Sequence, residues 1–123
     1  MAKRVLVVDD EADITEMVAL RLMAGGYETG TARSGEECLE KVAGEKFDLI
    51  IMDVSMPGMD GIATACRLQR DKATRDIPVI FLTALANKND LGAAYAVIGM
   101  HVVIAKPFDG NDLLVLVKQQ IKA

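Results

Sequence analysis

Five residues of this 123-residue chain could do chemistry together if a fold gathered them: Asp9, Asp10, Asp53, Thr83 and Lys106. Each ends or directly follows a short apolar run. Val5-Leu6-Val7-Val8 leads into Asp9-Asp10, and Leu49-Ile50-Ile51-Met52 leads into Asp53. Ile77 to Leu82 leads into Thr83, and Val102 to Ala105 into Lys106-Pro107. Three carboxylates brought close repel one another, and a hard divalent cation relieves that repulsion. Mg²⁺ suits the set, because it takes oxygen ligands, keeps several waters and uses one or two carboxylates together with phosphate oxygens. Lys106 adds a point charge for a phosphoryl oxygen, and Thr83 a neutral hydroxyl donor. A strand-ending carboxylate facing the metal would be the nucleophile, giving an acyl phosphate. Phosphoryl transfer asks mostly for positioning and charge neutralisation, and these residue types supply both.

The elements between these residues must bring them together. Asp13 to Ala24 reads as a helix with Ile14, Met17, Val18 and Leu22 on one face, stopped by Gly25-Gly26. Tyr27 to Ala32 alternates weakly, as a strand near a sheet edge does. Ser34 is an N-cap for a helix through Ala43, with Glu37 completing a capping box. Asp60 is read as the N-cap of a helix to Arg70. An Ala-rich helix over 88–97 and a last helix over 109–121 complete the series. In that last helix Leu113, Leu114, Val117 and Ile121 form the core stripe, with Val115 and Leu116 off it. Near-continuous apolar strands alternating with helices predict a parallel sheet covered on both faces. The fold class is therefore α/β: a single (βα)₅ doubly wound domain over residues 1–123. Ligands of such sheets bind beyond the carboxyl ends of the strands, where all five residues fall.

Composition narrows the function. Apolar residues make up 51% and charged residues 26%, the balance of a globular domain. The net charge of −4, with scattered basic residues, gives no footprint for direct nucleic-acid binding. No apolar run approaches a membrane span, and the run from Val5 to Val8 is too short for a signal-peptide core. The expectation is a soluble, cytoplasmic protein without a membrane partner. Cys38 and Cys66 form no CxxC pair, and His101 is the only histidine, so a structural zinc site lacks ligands. Two free thiols are expected.

Taken jointly, Asp9-Asp10, Asp53 with Met56-Pro57-Gly58-Met59-Asp60-Gly61, Thr83-Ala84 and Lys106-Pro107-Phe108 resemble the receiver domains of bacterial response regulators, in order and spacing over essentially the whole chain. The resemblance implies a flavodoxin-like sheet of strand order 2-1-3-4-5. It implies a signalling switch rather than a turnover enzyme, in which a histidine kinase or histidine phosphotransfer protein donates a phosphoryl group to Asp53. It further implies that Asp10 and Asp53 bind Mg²⁺ through side chains, with Mn²⁺ able to substitute. Asp9 would help through water, and Ser55 would offer its backbone carbonyl. Lys106 would pair with the phosphoryl group. Thr83 would move towards it, reshaping the face made by the fourth helix, fifth strand and fifth helix, where a downstream protein binds.

Two departures stand out. Family members usually carry Tyr or Phe three residues before the lysine, and this chain has Val103, with no ring to swing. Val103, Met100, Val115 and Leu116 would make an apolar patch on the output face, suited to a partner or a homodimer. Leu85, two residues beyond Thr83, cannot orient a hydrolytic water, so slow autodephosphorylation is expected. Rival readings fare worse. A haloacid-dehalogenase-type hydrolase needs a second Asp where Ser55 stands, and a nucleotide-binding domain needs a Gly-rich first turn where Asp9-Asp10-Glu11 stands. The remaining alternative is a phosphate-independent pseudo-receiver acting as a protein-interaction module.

Overall fold

Val5, Leu6, Val7 and Val8 are all fully buried, so both faces of their strand are covered and the run needs no polar alternation. A computed structural model describes residues 2–54, 60–83, 102–105 and 109–121. Its strands are β1 (Arg4–Val8), β2 (Glu28–Ala32), β3 (Leu49–Asp53), β4 (Val79–Thr83) and β5 (Val102–Ala105). Its helices are α1 (Ala12–Ala24), α2 (Gly35–Gly44), α3 (Gly61–Arg70) and a C-terminal helix (Gly110–Gln120). The expected helix over 88–97 lies outside the described residues.

The strands form one parallel sheet in the order β2-β1-β3-β4-β5. This is the doubly wound (βα)₅ order that the resemblance implied. Alternate residues serve two cores. Leu6, Val8, Ile50, Met52 and Phe81 join a cluster with α2 and α3 residues such as Cys38 and Leu68. Val5, Val7, Leu49, Ile51 and Leu82 join another with Val18 and Leu22 of α1 and Leu113 and Val117 of the C-terminal helix.

Local chemistry sets the boundaries. Ser34 Oγ accepts from the Glu37 amide at 3.1 Å, while the Glu37 carboxylate reaches back to the Arg33 amide at 3.4 Å rather than to that of Ser34. The capping box is thus displaced by one residue on its return arm. β4 begins at Val79, two residues later than the apolar run suggests. Pro78 precedes it and contributes only its carbonyl, which accepts from the Ile50 amide at 3.0 Å.

The expected face of α1 is corrected. Its buried residues are Thr15, Val18, Ala19 and Leu22, whereas Met17 is half exposed. The helix carries apolar residues nearly all round, and the stripe containing the small Thr15 and Ala19 permits the closest approach to the sheet. Leu116 is likewise corrected: it packs partly buried against the second core and does not join an exposed patch. Both cysteines are free, and burial pushes the Cys38 thiol up to about 12.

Candidate functional site

β1 carries the chain straight into the acid pair. The Asp9 amide still donates to the Ala32 carbonyl of β2 at 3.1 Å, so sheet pairing extends one residue past Val8. Asp9 is fully buried, and its Oδ1 accepts from the backbone amide of Glu11 at 2.9 Å. Asp10 and Glu11 are exposed, and Glu11 is the extended N-cap from which α1 starts. β1 and β3 are registered Val8 to Met52, which puts Asp9 level with Asp53. Asp53 ends β3 with 4% of its surface exposed. By the period of two, Asp9 continues the row Val5–Val7 and Asp53 the row Leu49–Ile51, so the two carboxylates stand on one side of the sheet.

The result is a cluster. One carboxylate oxygen from each of Asp9, Asp10, Glu11 and Asp53 lies within 4.8 Å of all the others. Two of these residues are buried and two exposed, which sets negative charge at a mouth that solvent can reach from one side. Like charges so placed call for compensation, and burial strengthens the call. The donors are all hard oxygens, without imidazole or thiolate, so the set suits Mg²⁺ or Mn²⁺ rather than zinc or copper.

The start of α3 lies against the end of β3. Asp60 caps it, its side chain accepting from the Ala63 amide at 2.8 Å. The Gly61 amide donates to the Val54 carbonyl at 3.0 Å. A Cβ on Gly61 would overlap the backbone carbonyl of Asp53, so only glycine lets α3 start this close to the end of β3. Thr64, fully buried, donates its hydroxyl to the Asp60 carbonyl at 2.8 Å and reinforces the same turn.

Thr83 ends β4 at 2% exposure, one residue past the pair Asp53–Leu82, and is itself registered with Ala105 of β5. Lys106 follows Ala105 in sequence but lies outside the described residues, as do Ser55, Leu85 and Met100. The chain re-enters the described structure at Asp109, which caps the C-terminal helix by accepting from the Asn111 amide at 2.7 Å. Val103 of β5 is 38% and Val115 of the C-terminal helix 54% exposed, while Val102 and Ile104 of β5 pack on the core that this helix shares.

Residues 5–118 match the family model described as the response regulator receiver domain. The chain belongs to the response regulator receiver family. The phosphate regulon transcriptional regulatory protein PhoB of Pseudomonas aeruginosa is 38% identical to this receiver domain over 122 residues, covering 99% of the chain and 53% of PhoB. The receiver domain thus spans about half the length of the curated relatives it matches. Among solved structures, the Vibrio cholerae chemotaxis protein CheY4 aligns over 99% of this chain and 100% of its own, with a TM-score of 0.88 and 31% identity. The response regulator TrrA of Thermotoga maritima, solved in complex with Mg²⁺-BeF, aligns over 96% and 98%, with a TM-score of 0.83 and 34% identity. No helix among the described residues is long and apolar enough to cross a membrane.

Reading the sequence from its strand ends found Asp9, Asp10, Asp53 and Thr83, and the structure brings the three aspartates together. Two residues were missed. Glu11 was read only as part of an acidic opening to α1, and its place directly after the acid pair was the available signal. Gly61 was seen within a family motif, but its steric role depends on how close α3 comes to β3.

Proposed function

We propose that this receiver domain accepts a phosphoryl group on Asp53 in the presence of Mg²⁺ and uses it to switch protein contacts. The observation that carries the reading is Asp53 itself: a buried carboxylate at the end of β3, within 4.8 Å of three others. In the transfer, an Asp53 carboxylate oxygen attacks phosphorus, a P–O bond forms, and the P–N bond to the donor's imidazole breaks. The donor is a phosphohistidine on a histidine kinase or phosphotransfer protein. Asp10 and Asp53 bind the ion directly, Ser55 offers its carbonyl, and Asp9, held by the Glu11 amide, acts through water. The ion supplies charge neutralisation for the phosphoryl oxygens. Lys106, next after the residue registered with Thr83, pairs with the same group. The complex of the similar TrrA with Mg²⁺-BeF supports this assignment of cofactor.

Thr83 is the relay in this reading. Its hydroxyl turns towards the phosphoryl group, and the freed space is filled from the neighbouring output face. Val103 offers no ring to fill it, so the switch is carried by movement of the face itself, where Val103 and Val115 present apolar surface to a protein partner or a second copy. Direct nucleic-acid binding by this segment is not part of the reading, given its net charge of −4.

Thermal unfolding with Mg²⁺ and beryllium fluoride tests the site without a kinase. Ligand bound only to the folded state raises the melting temperature, by roughly 2.7 kcal/mol of stability at a hundredfold excess over Kd. The rise should need both components and vanish in Asp53→Asn. An equal rise in Asp53→Asn, or none in the wild type, contradicts the reading.

A further inference from the structure

The face made by α2 and α3 divides its charges by sign. Glu36 and Glu40 lie one turn apart on α2, and Arg67 and Arg70 share a face of α3; all four are exposed. Between them runs a groove lined by Leu39, Val42 and Ala43 of α2 and by Arg67, Leu68 and Asp71 on the α3 side. None of the four charged residues has an ion-pair partner among the described residues, although acid and base lie across one groove. Asp71 is engaged locally, its carboxylate accepting from the Ala73 amide at 2.9 Å. We propose that this face binds a second copy of the chain about a two-fold axis running along the groove, each acidic α2 lying on the basic α3 of the other copy.

The pattern is its own complement. α2 and α3 each return the chain to the start of the next strand of a parallel sheet and pack on the same core cluster, so they run side by side in one direction. Rotation by a half-turn about the groove keeps every residue at its own level and exchanges the two helices. Leu39 and Val42 share the groove with Arg67 and Leu68, so Glu40, on the same turn as Leu39, stands level with Arg67. The rotation therefore sets Glu40 of each copy opposite Arg67 of the other, as an isologous interface requires. Half-buried Leu39 and Val42 and exposed Ala43 bring apolar surface to the centre. Exposed ion pairs add little affinity but fix orientation, and the apolar strip supplies the attraction. A foreign partner would have to reproduce the same order of acid, apolar strip and base, whereas a second copy already has it. The face lies over the core opposite the one that the C-terminal helix covers, so Val115 stays open to other partners.

The test is sedimentation velocity over a concentration series of the unphosphorylated chain, which needs neither metal nor phosphoryl donor and so stands apart from the reading of Asp53. A monomer–dimer equilibrium should appear and should weaken as salt is raised. Glu40→Arg and Arg67→Glu should each weaken the dimer about tenfold or more, since one substitution places like charges at two symmetry-related contacts. Both positions are exposed, so the melting temperatures of the variants should stay close to that of the wild type. Mixing the two variants, or joining both changes in one chain, restores opposite charges at every contact and should restore the dimer. A wild-type chain that stays monomeric to millimolar concentration overturns the proposal. So does a dimer indifferent to both reversals, or one lost in Val115→Glu but not in them, which would place the contact on the output face. Single variants that weaken the dimer with no rescue in the mixture or the double variant overturn the two-fold pairing of α2 with α3.

Discussion

Asp9 and Asp53 stand side by side at the ends of adjacent parallel strands, one residue beyond the registered pair Val8–Met52, at 0% and 4% exposure. Parallel neighbours at one level point the same way, so this register alone forces two carboxylates together. A fold does not bury such a pair without compensation, because desolvation and mutual repulsion both oppose the charged forms. Hydrogen bonding answers part of the demand, as the Glu11 amide does for Asp9. In the proposed function, a divalent ion at the mouth adds to that compensation.

Metal should therefore stabilise this domain through its acids. Adding Mg²⁺ to the chelated wild type is expected to raise the melting temperature by a few degrees, and Asp10→Asn should abolish that rise. The same substitution should raise the melting temperature in chelator by about 2–4 °C, since a repelling charge is gone. Differential scanning calorimetry with and without chelator reads both effects. A Mg²⁺ response in Asp10→Asn equal to that of the wild type would contradict this role.

Gly61 sets the distance between α3 and Asp53. A methyl group at this position would overlap the Asp53 carbonyl, and the obstacle is backbone, which cannot rotate away. Gly61→Ala is expected to cost about 2–3 kcal/mol, read as a lower urea midpoint at constant slope. The displaced β3 end should also slow phosphoryl acceptance at Asp53 in molecules that remain folded. A midpoint within error of the wild type would show that α3 has more room than the structure gives it.

Cys38 should make the domain alkali-sensitive. Its thiol rises from an ordinary 9.0 to about 12 because burial disfavours the thiolate. The folded state then holds a proton that the unfolded state releases, so the stabilising contribution is complete below about pH 9 and is lost as pH climbs towards 12. Urea unfolding across that window should show an extra loss approaching about 1.4 kcal/mol per pH unit, absent in Cys38→Ala. In the folded protein at pH 8, a thiol reagent should modify Cys66, which is only half-buried, well before Cys38. Equal labelling rates would contradict the burial assigned to Cys38.

The strands were legible because a sheet buried on both faces demands unbroken apolar runs, and Val5–Val8, Leu49–Met52 and Val79–Leu82 provide them. The acids that end β1 and β3 were legible for the same reason, since a charge closing such a run marks where the strand leaves the core. Asp60 read correctly as a helix N-cap because capping chemistry is local, and the last helix, expected from Asp109, starts on the same kind of bond. The face of α1 was not legible. With Met17, Leu20 and Met23 all apolar, the buried sector was chosen by the sheet's preference for the small Thr15 and Ala19. The parts played by Gly61 and Leu116 were hidden likewise, because each depends on an approach between elements far apart in sequence.

The most direct test of the central claim is intact mass after incubation with acetyl phosphate and Mg²⁺, run beside Asp53→Asn and a metal-free control. The predicted result is one added phosphoryl group in the wild type with metal, and none in either control. An adduct of the same size in Asp53→Asn, or no adduct in the wild type at short times and high donor concentration, would contradict phosphoryl acceptance at Asp53. The absence of any adduct would leave the phosphate-independent interaction module as the reading to pursue.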